Sequence, residues 1–293
     1  DAMLQQALSS HDSHTHVSAR LWLGLAHYSE GRFDHAEREL SAAIDAHDHE
    51  AHAGHAVRFG LDTLVWSRAA RALVRWGLGY EQSARDDARV AVARARQLAH
   101  APSLGIALLY LGLFELGRDD ATAAQAVCDE LIELAHRYGL PAFLGYAQII
   151  RSWAVGDTAH ADAGIQALWS IGCRYCQTYY RAFAGHTLAR AGDLAGALAR
   201  LDDSLSLVEP LAERLHESEL YWHKARYLRA SGAEASQVRA AAAADSARAG
   251  GKCRTEALAL MLLTDIELDE ALLARYRHRL HILKTQRPEL SFF

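Results

Sequence analysis

Small and large apolar positions recur along the chain in a fixed order. Gly24, Gly31, Phe33, Ala36, Leu40 and Ala43 form one set, and Gly185, Gly192, Leu194, Ala197, Leu201 and Ser204 repeat its spacing. Weaker copies run through Gly112, Asp119, Ala124, Cys128 and Leu131, through Ala84, Ala88 and Ala91, and through Gly164 and Leu168. The spacing is that of one face of an α-helix, with small residues where two helices cross closely and large ones filling the groove between them. The key small position falls at 36, 84, 124, 164 and 197, with a sixth near Val238. The intervals centre near 40 residues, longer than the ~34 of the tetratricopeptide unit, so the helices or turns should be longer too. Pro102 and Pro141 each precede an apolar run and suit a first helical turn, where a missing N–H costs nothing. Pro210 punctuates again after LDDSLSLVE. Period-two alternation is absent; its nearest approach, Tyr175–Tyr180, is too short and mixed for a strand.

These patterns predict an all-α fold: a tetratricopeptide-like right-handed superhelix of six to seven helical hairpins. One hairpin cannot bury its apolar face alone, so neighbours stack into a continuous core. At about 10 Å between helices the stack makes an open arc roughly 60 Å long, its inner wall lined by the first helix of each pair. With Ala36, Ala84, Ala124 and Ala197 on second helices, the inner wall takes Tyr28, Trp66, Trp76, Tyr146, Trp153, Tyr179, His186, Arg190, His223 and Tyr227. Aromatics interspersed with Arg and His are what a recognition surface holds. These ten are the candidate effector- or partner-binding residues. The whole chain, 1–293, reads as a single repeat domain, with an N-terminal helix or loop over 1–19, repeats over 20–265 and a capping helix over 266–293. The opening on Asp1 suggests a piece of a larger protein.

Composition agrees. Half of the 293 residues are apolar, Gly and Pro together make only 24, and Ala, Leu and Arg are strong helix formers. The net charge is −5, and Lys and Arg are scattered among Asp and Glu. That argues against direct nucleic-acid binding, which needs a basic stripe. Four cysteines do not make a disulfide framework, and no signal peptide or membrane-length apolar run is present, so the expected location is cytoplasmic. Gly250-Gly251-Lys252 is followed by Cys253, and Ser246 stands where a phosphate-binding loop has its first glycine, so the stretch reads as a helix-to-helix turn. Cys173-Arg174-Tyr175-Cys176 is a lone CxxC at a repeat junction, read as packing, as is Cys128. No catalytic motif emerges, and the chain is expected to be no enzyme and to carry no cofactor.

Four stretches in order, GHAVRFGLDTLVWSRAARALVRWGLGYEQSA (54–84), HAPSLGIALLYLGLFELGRD (100–119), YGLPAFLGYAQIIRSWAV (138–155) and ESELYWHKARYL (217–228), carry a family resemblance. Over residues 20–265 the chain resembles the helical repeat domain of large bacterial signal-transduction ATPases with numerous domains. The aromatic-Gly-x-Asp link of that group matches Phe59, Gly60, Leu61 and Asp62, preceded by Arg58, and its turn matches Leu78, Gly79 and Tyr80. Asp62 is followed by Thr63 and Leu64 where relatives have Pro-Gly. The fourth hairpin lacks the usual Gly-x-x-x-x-Gly turn, which leaves the register over 145–172 open. The resemblance implies a sensor region joined in one chain to an ATPase and a winged-helix or nucleotide-cyclase output module. Its partners would be a protein, peptide or small-molecule effector, with no direct nucleic acid and no membrane; a homodimer through the end faces is open. A free-standing adaptor is the alternative.

The resemblance also accounts for IDAHDHEAHAGHAVRFGLD (44–62), where His47, His49, His52 and His55 fall within nine positions. The stretch becomes a long link between hairpins, stretching the first interval to 48 residues, with Arg58 and Asp62 hydrogen-bonded to order it. A metal site is the lesser alternative: His49-Glu50-Ala51-His52 is one residue short of HExxH, and loop imidazoles seldom meet ligand geometry. His11, His14 and His16 form a second, separate group near the start.

Overall fold

Helices begin where aspartates stand. Asp62, Asp120, Asp157, Asp193 and Asp269 each accept hydrogen bonds from backbone N–H groups of the helix they precede, satisfying donors that a helix start leaves open. Pro141 opens one helix and Pro102 lies in the first turn of another, as expected.

The computed structural model describes residues 6, 9, 12–174, 176–211, 213–233, 236–266 and 269–290. Among the described residues the secondary structure is helical throughout, with no strand. The helices are α1 (Ser13–Ser29), α2 (Phe33–Asp45), α3 (His55–Phe59), α4 (Thr63–Leu78), α5 (Glu81–Leu98), α6 (Ala101–Gly117), α7 (Ala121–Tyr138) and α8 (Pro141–Val155). They continue as α9 (Thr158–Ser170), α10 (Gln177–Arg190), α11 (Leu194–Ser206), α12 (Val208–Leu211), α13 (Glu217–Ala230), α14 (Ser236–Ala249), α15 (Cys253–Ile266) and α16 (Glu270–Gln286). Seven hairpins pair α1 with α2, α4 with α5, α6 with α7, α8 with α9, α10 with α11, α13 with α14 and α15 with α16, each packed on its neighbours. The short helices α3 and α12 lie in links.

Hairpins close on the small positions. Ala36, Ala84, Ala124 and Ala197 are fully buried. A Cβ on Gly24 would stand 2.7 Å from the Leu40 side chain, so only glycine lets α1 and α2 approach. In the fourth hairpin a Cβ on Gly164 would stand 2.8 Å from the Gly145 carbonyl oxygen. That contact fixes the register that the sequence leaves open over 145–172. Val238 lies in α14, with its side chain outside the described ones.

One core runs from Leu21 through Phe114 and Ile150 to Phe183, and a second, alanine-rich one joins α13, α14, α15 and α16. The expected open arc does not form, because the last hairpin returns to the first two. The Phe33 N–H donates to the Gly250 carbonyl at 3.1 Å, and the Gln82 N–H donates to Glu289 at 3.1 Å. Glycines permit the meeting: a Cβ on Gly250 would stand 2.6 Å from the Gly31 carbonyl oxygen, and Leu290 packs where a Gly79 side chain would be. Helix α1 starts at Ser13, within the expected 1–19 segment, and α16, within the expected capping segment 266–293, packs on α15. His11, Tyr175 and the terminal Phe292 and Phe293 lie outside the described residues. Among those described, no helix is long and apolar enough to cross a membrane.

Candidate functional site

The first helices of all seven hairpins contribute to one cavity of about 790 Å³. Their later turns supply most of its wall: Tyr28 from α1, Trp76 from α4, Trp153 from α8, His186 and Arg190 from α10, and Trp222, His223, Arg226 and Tyr227 from α13. Arg254 enters from the start of α15.

Three guanidinium–indole pairs face this space. Arg254 lies 3.7 Å above the Trp76 ring, Arg226 4.7 Å from Trp222 and Arg190 5.0 Å from Trp153. Each pairing keeps a cation on an aromatic face. Burial pulls the Arg254 guanidinium down to about 10, still charged at neutral pH. The lining carboxylates are Asp119 and Glu219. Glu219 is engaged by the buried Lys252 ammonium at 2.6 Å. Burial alone would raise the Glu219 carboxyl, but Lys252 holds it below its ordinary value. The wall is therefore aromatic and net cationic. The expected turn reading of Gly250-Gly251-Lys252 agrees with this placement, since the lysine is spent on an internal pair.

Three histidines complete the wall. His186 Nδ1 lies 2.9 Å from the Tyr227 hydroxyl, and His216 stacks on Tyr179 with centroids 3.6 Å apart and planes 11° from parallel. Among the described residues, His186 Nε2, His216 Nδ1 and His223 Nδ1 are buried without a hydrogen-bond partner. A buried polar atom left unpaired is costly, and a ligand is one way such atoms are satisfied. Burial drives His186 and His216 down to about 3 and His223 well below its ordinary value, so all three are neutral at pH 7.

Of the ten residues assigned to the inner wall, Tyr28, Trp76, Trp153, Tyr179, His186, Arg190, His223 and Tyr227 line the cavity. Trp66 and Tyr146 do not, because they stand in early turns of α4 and α8. Trp66 meets Trp22 edge-on and points Nε1 at the Tyr110 hydroxyl, 3.4 Å away. Tyr146 is buried with its hydroxyl 2.7 Å from Cys173 Sγ. Sequence reasoning missed Trp222, Arg226, His216 and Arg254. Trp222 and Arg226 stand at i and i+4 and were open to detection; Arg254 reaches the site only because the chain ends meet.

The link between the first hairpins is ordered differently from expectation. Arg58 does not bond Asp62: it stands 3.6 Å from Asp12 and 5.4 Å from the half-exposed Phe59 ring. Asp62 is fully buried, caps α4 through the Val65 N–H at 2.9 Å and receives both Arg94 Nε at 3.0 Å and Nη2 at 3.1 Å. Gly60 ends α3 with φ +74°, the left-handed conformation that glycine adopts without strain. The link also brings the two histidine groups together. His52 and His55 are buried against His14 of α1, and the three offer ring nitrogens within 4.8 Å of one another. His49 instead meets Arg94 at 3.1 Å and His16 meets Arg20 at 3.1 Å. Neither ring nitrogen of His47 has a hydrogen-bond partner among the described residues.

Compared with known proteins, the chain matches no family model and no curated sequence.

Proposed function

We propose that this chain is a non-catalytic binding domain, a tetratricopeptide-like right-handed superhelix that receives a small effector in its central cavity. The single observation that carries the reading is the convergence of three guanidinium–indole pairs and three unpartnered imidazole nitrogens on one space. At about 790 Å³ the cavity has the size of a small-molecule site. A folded protein partner needs roughly 800 Å² of open face, which a walled space does not offer. The chemistry selects an anionic ligand with a flat apolar part: carboxylate or phosphate oxygens toward Arg190, Arg226 and Arg254, and a ring or chain against the indoles.

The proposed role is that of the sensor region of a cytoplasmic bacterial signalling ATPase, as the sequence resemblance implies. Every hairpin contributes a wall, and the two ends meet at Gly31 and Gly250. A ligand bridging those walls favours the arrangement in which the ends touch. If it binds that arrangement about 100-fold better than an opened one, it shifts the balance by ~2.7 kcal/mol, enough to switch an attached module. The test combines calorimetric titration of small anionic aromatic compounds into this chain with ATPase measurements on the full-length protein. Trp153→Ala and Arg190→Ala should abolish binding and activation, and Trp66→Leu should leave both unchanged. If the first two variants bind and respond normally, the cavity is not the effector site.

A further inference from the structure

The fold assembles a second set of histidines that the cavity does not use. His14 stands in the first turn of α1, His52 in the link and His55 at the start of α3. His14 Nδ1 lies 2.9 Å from His55 Nε2, so the two rings share one proton. His55 Nδ1 meets the Thr63 hydroxyl at 2.5 Å, and that oxygen can accept its proton. With its proton on Nδ1, His55 turns a bare Nε2 lone pair toward His14. The Asp48 backbone N–H donates to His52 Nδ1 at 3.0 Å, and His52 Nε2 stands 3.0 Å from Ser13 Oγ. His47 closes the edge of the group, its ring centroid 5.0 Å from that of His52 and 5.8 Å from that of His55.

The geometry points to a binding site for a divalent transition metal, zinc above all, held by His14 Nδ1, His55 Nε2 and His52, with His47 or water in a fourth position. The argument is chemical. Two nitrogens on a tetrahedral zinc stand roughly 3.4 Å apart, given zinc–nitrogen bonds near 2.0–2.1 Å. His14 and His55 need open by only about half an ångström from their present separation, the metal replacing the proton between them. His14 then carries its proton on Nε2. Imidazole nitrogen is the borderline-soft donor that suits zinc, copper and nickel, while calcium and magnesium want oxygen. Thr63 acts as the outer partner that orients His55, the arrangement metal-bound histidines commonly show.

His52 sets a condition. Its Nδ1 accepts from Asp48, so its proton now sits on Nε2. Ligation requires it to release the Asp48 N–H, move that proton to Nδ1 and present Nε2. The Asp48 segment is exposed, and its carboxylate already accepts from the Glu50 and Ala51 N–H groups, so the turn keeps its shape without that bond. The neighbours are excluded by their own contacts: His16 and His49 each face a guanidinium, which repels a cation. A metal here ties the start of α1 to the link before α4 and staples the first two hairpins together.

The test uses the purified chain stripped with a chelator and then titrated with Zn²⁺ in calorimetry and with Co²⁺ in visible absorption. One metal per chain, a zinc Kd below about a micromolar and the intense visible bands of tetrahedral Co²⁺ are expected. His14→Ala and His55→Gln should each weaken binding by about 100-fold, and His16→Ala and His49→Ala should change it by less than threefold. Zinc should also raise the thermal midpoint of the unaltered chain and not that of His14→Ala. If His55→Gln does not fold, the half-buried His14→Ala, checked by circular dichroism, decides alone. Binding weaker than about 10 micromolar, or affinity untouched by His14→Ala, overturns the site.

Discussion

Histidines gather in two regions of this protein, and the regions face opposite chemistries. Around the link, the lone pairs of His14, His52 and His55 converge on one another with few cations between them. Around the cavity, His186, His216 and His223 lie against aromatic faces, with Arg190, Arg226 and Arg254 on the same wall. One arrangement suits a cation and the other an anion. The imidazole is the same; its neighbours decide what it is offered to. Side-chain identity alone therefore assigns no role, and the tautomer and the nearest charge do.

Each region is also fastened by an ion pair with one buried partner, and these give the largest expected effects. Lys252→Met removes the partner of Glu219 beside the cavity, and Arg94→Met removes the partner of the fully buried Asp62 in the link. Stripping one partner from a buried pair costs about 3–5 kcal/mol, because the remaining charge stays desolvated. Urea unfolding should show a loss of about 3 kcal/mol for Arg94→Met and a smaller loss for Lys252→Met, because the Glu219 side chain lines the cavity and is 24% exposed. Lys252→Met should also weaken ligand binding in the cavity, whereas Arg94→Met should weaken zinc binding at the link. If both variants lose both functions together, the two regions are not separate.

A smaller and more selective change is Gly250→Ala. The new methyl would collide with the backbone oxygen of Gly31, and neither backbone can yield without moving a hairpin. The expected cost is about 1–3 kcal/mol of overpacking. Small-angle scattering should show a larger radius of gyration as the last hairpin leaves the first. Cavity binding should fall while zinc binding is retained, since the hydrogen-bond partners of His14, His52 and His55 among the described residues come from α1, the link and the start of α4.

How much of this was legible in the sequence follows from what each feature depends on. Ala36, Ala84, Ala124 and Ala197 are local in consequence: their spacing reports a helix face, and all four are buried as that spacing requires. Eight inner-wall residues came from the same arithmetic. Trp66 and Tyr146 escaped it because helical periodicity gives the face but not the height along the helix, and in α4 and α8 it is the later turns that line the cavity. The meeting of the ends was illegible, since it depends on how a small rotation per hairpin accumulates over seven of them, and Arg254 was lost with it. His14 and His55 stand 41 residues apart, so two groups that looked separate became one only through the packing of α1 on the link.

Acidity tests the burial of the cavity histidines at lower energy. His186 and His216 are held near 3 by burial, against an ordinary 6.5 when the chain unfolds. Between those values the unfolded chain binds more protons than the folded one. Stability is therefore intact above pH 6.5 and falls as the pH drops below it, by about 1 kcal/mol per histidine per pH unit. Glu219, held below its ordinary 4.5, adds nothing between pH 6.5 and 5.5. Comparing the unaltered chain with His186→Phe over that interval should isolate a difference of about 1 kcal/mol, read from urea midpoints. A flat difference would mean that His186 is solvated and not walled in.

The smallest expected effect decides which arginine orders the link. The sequence assigned Asp62 to Arg58, and the fold gives it to Arg94. Arg58 keeps a contact with Asp12 at 3.6 Å, with the two side chains 52% and 38% exposed. Water screens such a pair, and exposed ion pairs are worth about 0–1 kcal/mol. Arg58→Ala should thus shift the urea midpoint by less than about 0.5 kcal/mol and leave zinc affinity within threefold. Arg94→Met, in the same assay, removes two hydrogen bonds from a carboxylate that has no access to water. A cost for Arg58→Ala approaching that of Arg94→Met would mean that Arg58 swings onto Asp62 in solution. The link would then be ordered by its own arginine rather than by the neighbouring hairpin, and the convergence of His52 and His55 on His14 would lose the rigid frame on which the metal site depends.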